Sequence, residues 1–298
     1  MQIDTFPKCP QGDKMRVILP AGHFAGTLKI ATAILVILFC QTPGTAVTRG
    51  LDLASGSKDT PIQISADHGI EWQKDNEILI ASGNAQASRD GVNVVAEELR
   101  AYYRKKPGGG ADLYRLDATG GVKIFSDTES ITGQTAVFDF KQAILKVDGK
   151  FVVYKTENDT ITATQQMEYW ERQQMAVARG NAVVVHDGTT VRANILKVLL
   201  RNNKNGKSEV YVVEAFENVL IVSNNDRARA DRSIYRVDSG IANLTGNVSI
   251  TRGKSILKGD RAEVNLNTGI SKLLTVNNLK SDQRKKKRIR GLIYPQKQ

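Results

Sequence analysis

The chain reads as all-β, built from repeated antiparallel strand units and internally duplicated, and three observations lead there. First, between residues 61 and 279 apolar side chains recur at every second position, as in Val122/Ile124, Phe151/Val153, Val219/Ile221 and Val248/Ile250. That is the period of a strand with one buried face. Second, Gly83, Gly120, Gly149, Gly180 and Gly246 each open one phrase, a glycine followed two and four residues later by a small or apolar side chain. Third, Gly83 and Gly180, Ala66 and Ala163, Ala96 and Ala193, Tyr114 and Tyr211, and Gly149 and Gly246 are all 97 residues apart, so one register without insertions relates two halves.

The strands follow in order from these patterns. Alternation in Leu99-Ala101-Tyr103, Ala136-Phe138-Phe140, Leu196-Val198-Leu200 and Ala262-Val264-Leu266 matches that of the glycine-led segments, so both strand types offer one apolar face. Asp90-Gly91, Asp148-Gly149, Asp187-Gly188 and Leu266-Asn267-Thr268-Gly269 supply the turns between them. Small anchors at Ala66, Ala96, Gly133, Ala163, Ala193, Ala230 and Gly259 set a unit of about 30 residues, the spacing of supersecondary units that bury their apolar faces only against neighbours. Pro107-Gly108-Gly109-Gly110 and Asn202–Lys207 lengthen that unit at equivalent places and read as protruding hairpin loops. No segment has the pattern of a long helix. The free edges of such a chain must be closed, wrapped sheet on sheet, or paired with another copy or a partner.

Residues 1–46 are different material. Lys14, Arg16 and Lys29 precede the apolar run from Ile30 to Cys40, with small Gly44 and Ala46 beyond it. This is the pattern of a secretory signal peptide, whose cleavage would start the mature chain near Val47, with Met1 or Met15 as the initiator. The alternative is an uncleaved anchor, against which the run falls short of the roughly 20 apolar residues that span a bilayer. Both cysteines, Cys9 and Cys40, lie in this segment, so the cleaved chain has no disulfide framework. A linker occupies 47–60, the β framework 61–279 and a basic tail 280–298. Internal copies span about 62–158 and 159–255. The net charge of +11 is concentrated in that tail, where Lys280 to Gln298 holds eight basic residues and one acidic. Its run Arg284-Lys285-Lys286-Lys287-Arg288-Ile289-Arg290 lacks interleaved aromatics, which argues against a dedicated nucleic-acid surface.

Catalysis is not expected. Beyond residue 46 the chain has His68, His186 and no cysteine, and it lacks a Gly-x-Ser-x-Gly elbow and metal-ligand spacing. His68 lies over Gln165 and His186 over Arg89 in the other copy, so both read as solvated turn residues. Asn205-Gly206-Lys207-Ser208 lacks the upstream glycine and the helix of a phosphate loop, and Asp90, Asp148, Asp187 and Asp260 fit turns better than calcium ligation. No cofactor, metal or catalytic residue is assigned.

The ordered phrases Gly180-Asn181-Ala182-Val183-Val184-Val185, Gly246-Asn247-Val248-Ser249-Ile250 and Lys258-Gly259-Asp260-Arg261-Ala262-Glu263-Val264 resemble the OstA-type domain of the LptA family of lipopolysaccharide transport proteins, over about Ile62 to Thr275. The resemblance implies an elongated, twisted, open β-jelly roll that receives lipopolysaccharide acyl chains and joins related jelly-roll proteins of the inner- and outer-membrane complexes, or its own copies, end to end. The duplicated length and basic end depart from the shorter family pattern. Strand parity then selects Val122, Ile124, Phe138, Phe140, Phe151, Val153, Leu196, Val198, Val219, Ile221, Val248 and Ile250 as the lipid-binding lining. The strands near Ile62–Ile64 and Leu273–Val276 would supply edges for partners. Alternatives are an inner-membrane-anchored component resembling LptC, and a structural β-repeat packed with its own side chains.

Overall fold

The computed structural model describes residues 51, 60–107, 110–204, 208–223, 226–274 and 289–292, and the statements below concern these. The expected signal segment, most of the linker and tail, and Asn205–Lys207 of the phosphate-loop-like turn lie outside them. The strands are β1 (Gln63–Ser65), β2 (Gly69–Gln73), β3 (Ile78–Arg89), β4 (Val92–Lys105), β5 (Ala111–Phe125), β6 (Ser130–Asp139), β7 (Ile144–Asp148), β8 (Val152–Lys155), β9 (Asp159–Ala163), β10 (Gln166–Trp170), β11 (Met175–His186), β12 (Thr189–Asn202), β13 (Ser208–Ser223), β14 (Asp226–Arg236), β15 (Ile241–Arg252), β16 (Ser255–Asn265), β17 (Ser271–Leu274) and β18 (Arg290–Leu292). One 3₁₀ turn, Glu171–Gln173, is the helical element among the described residues. The duplication recurs in the strand bounds: β2, β3 and β4 shifted by 97 residues give β10, β11 and β12 end for end.

All pairings are antiparallel, and each long strand is paired in two separate stretches. The break is a bulge with positive φ. It falls at Gly83-Asn84, Gly120-Gly121, Gly180-Asn181, Glu217-Asn218 and Gly246-Asn247. A bulge bends a strand and strengthens its twist. Repeated at one level in successive strands, it becomes a crease dividing the sheet into two leaves. The first leaf holds β2, the start of β3, the end of β4, the start of β5, the end of β6, then β7, β10 and so on to β17. The second leaf holds β1, the end of β3, the start of β4, the end of β5, the start of β6, then β8, β9 and so on to β18. This is the jelly-roll architecture expected from the sequence.

The small anchors explain the repeat. Ala96, Gly133, Ala163, Ala193, Ala230 and Gly259 each pair with the first residue past the preceding crease: Ala85, Val122, Val152, Ala182, Val219 and Val248. The chain is most crowded there. A Cβ on Gly180 would lie 2.6 Å from Gln165 Cγ, and one on Gly120 would lie 2.5 Å from the Cβ of Glu97. Gly180 also has φ +85, a backbone that only glycine adopts without strain. Asp90-Gly91 and Asp187-Gly188 are two-residue hairpin turns with positive φ at both positions, which suits the right-handed twist of the flanking strands.

Alternate side chains of both leaves point inward and form one apolar cluster running through both copies. Leu51, upstream of β1, is buried in it as well. At roughly 1.5–3 kcal/mol for each large side chain removed from water, this interior is the main source of stability.

Candidate functional site

Of the residues that strand parity selected, Val122, Ile124, Val219, Ile221, Val248 and Ile250 line the second leaf. Phe138, Leu196 and Val198 line the first, and all of these are buried in the common cluster. Phe140 lies just past the end of β6, half-buried, its ring edge-on to Phe138 at 4.5 Å between centroids. Phe151 and Val153 do not point inward. Phe151 is 66% exposed, and Val152 and Tyr154 take the buried positions of β8. The physical reason is local. At Gly149 the crease runs through Lys150 and Phe151, so β7 ends and β8 resumes one residue later than the copy at Gly246, where Val248 pairs at once with Gly259. One extra residue reverses the faces of a strand.

Opposite the crease the two leaves approach each other through hairpin tips, and among the described residues no backbone pairing joins them there. The interior is therefore closed on that side by side chains alone, which form a seam.

In the first copy the seam is an open apolar mouth. A cavity of about 360 Å³ is bounded by Ile62 and Ile64 of the second leaf and by Trp72, Tyr103 and Leu113 of the first. Trp72 is 61% exposed and its indole Nε1 donates to the Tyr103 hydroxyl at 2.6 Å.

In the second copy the same positions are covered, and a polar latch crosses the seam. Asp159, standing where the first copy has Ile62, is buried. Its carboxylate lies 2.7 Å from His186 Nδ1, accepts from Thr156 Oγ1 at 3.2 Å, and accepts the Val210 backbone N–H of the facing leaf at 3.4 Å. Beside it the buried Tyr154 hydroxyl donates to Glu129 at 2.8 Å. Burial pushes the Tyr154 phenol well up from its ordinary value, and the Glu129 carboxylate adds to the shift. A polar cleft of about 540 Å³ opens over this latch, lined by the 126–130 and 155–158 turns together with Asn203 and Ser208.

The sequence reading missed this latch. His186 is half-buried and tied to Asp159, not a solvated turn residue, because the hairpin tip it occupies is roofed by the facing leaf. The signal was an acid at 159 where its copy at 62 is apolar, together with a histidine at 186. His68 lies in the crease, its backbone N–H bonded to the Ser82 carbonyl at 3.0 Å. Among the described residues no cluster of His, Cys, Asp and Glu has metal-holding geometry, and no helix is long and apolar enough to cross a membrane.

Residues 160–270 match the family described as LptA/(LptD N-terminal domain) LPS transport protein, a span that runs through the second copy from β9 to the turn before β17. Over that span the match agrees with the resemblance read from the sequence. A solved structure of LptH, the LptA homologous periplasmic component of the lipopolysaccharide transport device from Pseudomonas aeruginosa, is 17% identical and covers 46% of this chain and 95% of its own length, with a TM-score of 0.39. No curated protein matches.

Proposed function

We propose that this chain, which carries an LptA/LptD N-terminal type of domain over 160–270, is a non-enzymatic periplasmic carrier of lipopolysaccharide and one link of a bridge from the inner to the outer membrane. The observation that supports this best is the seam: a continuous apolar interior lies behind a line that side chains alone hold shut. Acyl chains need a dry trough, and each methylene taken from water favours binding by about 0.8 kcal/mol. The interior side chains touch one another in the closed roll. Loading therefore parts the leaves about the crease, beginning at the first copy's mouth, where Ile62, Ile64 and Leu113 line a cavity.

The lining in this reading is Val122, Ile124, Phe138, Leu196, Val198, Val219, Ile221, Val248 and Ile250. The edges of β1 and β2 at one end, and of β17 and β18 at the other, are the surfaces to which related jelly-roll proteins or further copies add strands. The segment 1–46 exports the chain and is removed.

Photocrosslinking amino acids at Phe138 and Val219, with Phe151 as the outward control, test the reading in intact cells. Capture of lipopolysaccharide at the two interior positions and not at Phe151 is expected. Equal capture at all three sinks the trough, and no capture at any favours a packed structural repeat.

A further inference from the structure

The two copies also differ on an outer face that points away from the interior. On the second leaf, through the second copy and the closing strands beyond it, the cross-strand register runs Arg192, Leu220, Arg229, Ser249, Lys258, Arg290 across β12, β13, β14, β15, β16 and β18. Arg227 lies two residues along the same face of β14. All five cations are exposed. At about 4.8 Å between strands the row spans roughly 24 Å, with a positive charge about every 10 Å and Lys258 directly opposite Arg290. Like charges directly opposed across strands are destabilising.

Among the described residues no ion pair is formed by Arg192, Arg227, Arg229, Lys258 or Arg290. Of the carboxylates on the same arms, Asp226 accepts from Arg252 and Asp231 from Asn247, while Asp260 stands in the crease. On the first leaf, by contrast, Glu214 lies 3.7 Å from Lys197 and 3.8 Å from Arg232, and Glu263 lies 3.7 Å from Lys272. The first copy carries one cation in the equivalent row: Val95, Lys123 and Thr132 stand where the second copy has Arg192, Leu220 and Arg229, and Ser130 stands where it has Arg227.

From this we infer that this face of the second leaf docks on an anionic lipid bilayer. The row runs across six neighbouring strands of one pleated sheet, so it suits an extended charged plane better than a single small anion. Arginine and lysine near an anionic bilayer each contribute about a fivefold gain in partition, and the attraction falls off within a Debye length. The row also stands on the edge to which β18 is paired, so Arg290 of that strand lies in the same plane.

The test is co-sedimentation of the full chain with vesicles of phosphatidylcholine alone and of phosphatidylcholine mixed equally with phosphatidylglycerol, the difference between them being the readout. The variant is Arg192→Val/Arg227→Ser/Arg229→Thr, which installs the first copy's own residues. The wild type is expected to favour the mixed vesicles, weakening as salt rises, and the variant to lose about a hundredfold of that preference. The reverse transplant, Val95→Arg/Ser130→Arg/Thr132→Arg, is expected to raise binding and keeps the test decisive if the first variant misfolds. A variant that matches the wild type overturns the proposal, as does release of the wild type by dilute inorganic phosphate, which would mark a small-anion site. The outcome is independent of whether interior probes capture lipopolysaccharide.

Discussion

At the first copy's seam Ile62, Ile64 and Leu113 stand where the second copy has Asp159, Ile161 and Val210, and the two sets differ in cover as much as in chemistry. Ile64 and Ile161 are the same residue in the same register. Yet Ile161 is fully buried and Ile64 is only partly so. The second copy is roofed by the turns of the first, through Glu129 and Tyr154, whereas the first copy's seam has no such neighbour among the described residues. Burial in a wound repeat is thus a property of place in the stack. Only a covered place makes a polar latch such as Asp159 with Val210 worth more than its bonds to water.

The largest break in this comparison comes from placing a charge at each seam. Ile161→Asp should lower the unfolding free energy by about 4 kcal/mol or more, because it buries an unpaired carboxylate. Ile64→Asp should cost less than half of that. Denaturant titration of the two variants measures the gap, and equal losses would mean that the seams are alike.

The crease offers the next effect. Gly180→Ala forces a methyl group against Gln165 in a left-handed backbone and should cost about 2 kcal/mol. Its effect is read as a shift in denaturation midpoint at an unchanged slope.

Tyr154→Phe sharpens the account of the latch. It should cost about 1.5–3 kcal/mol, the worth of a hydrogen bond to a charged group. Because the folded chain holds the Tyr154 proton above the ordinary value of 10, while the unfolded chain releases it there, native stability falls as pH rises past 10. The variant should lose that part of the alkaline decline, as midpoints measured on either side of pH 10 would reveal.

Smallest is a repair. Glu217 and Asn218 hold φ of +63 and +55 where the first copy has Gly120 and Gly121, and Glu217→Gly should raise stability by about 1 kcal/mol. An unchanged melting temperature would show that the Asn194 contact to Glu217, at 3.1 Å, already offsets the strain.

Much of this fold was legible because its rules are local. Alternation gives the strands, and the glycine phrases give the creases. The anchors from Ala96 to Gly259 give the register, since each must face the tight residue past a bulge. What remained hidden depends on residues far apart in the chain. The reversed faces of Phe151 and Val153 follow from one added residue in the Gly149 crease, and no periodicity records where a crease ends. The latch joins Asp159 to Val210 across two leaves whose juxtaposition no single strand encodes. The row from Arg192 to Arg290 is invisible in a linear reading for the same reason, since its members come from separate strands.

Each long strand passes from one leaf through the crease into the other, so both walls are drawn from one set of strands. The length of the roll is then counted in hairpins: removing or adding a repeat shortens or extends both leaves together and leaves the cross-section unchanged. Distance spanned becomes a quantity that gene duplication can dial in whole steps, and this chain has taken one such step within a single polypeptide.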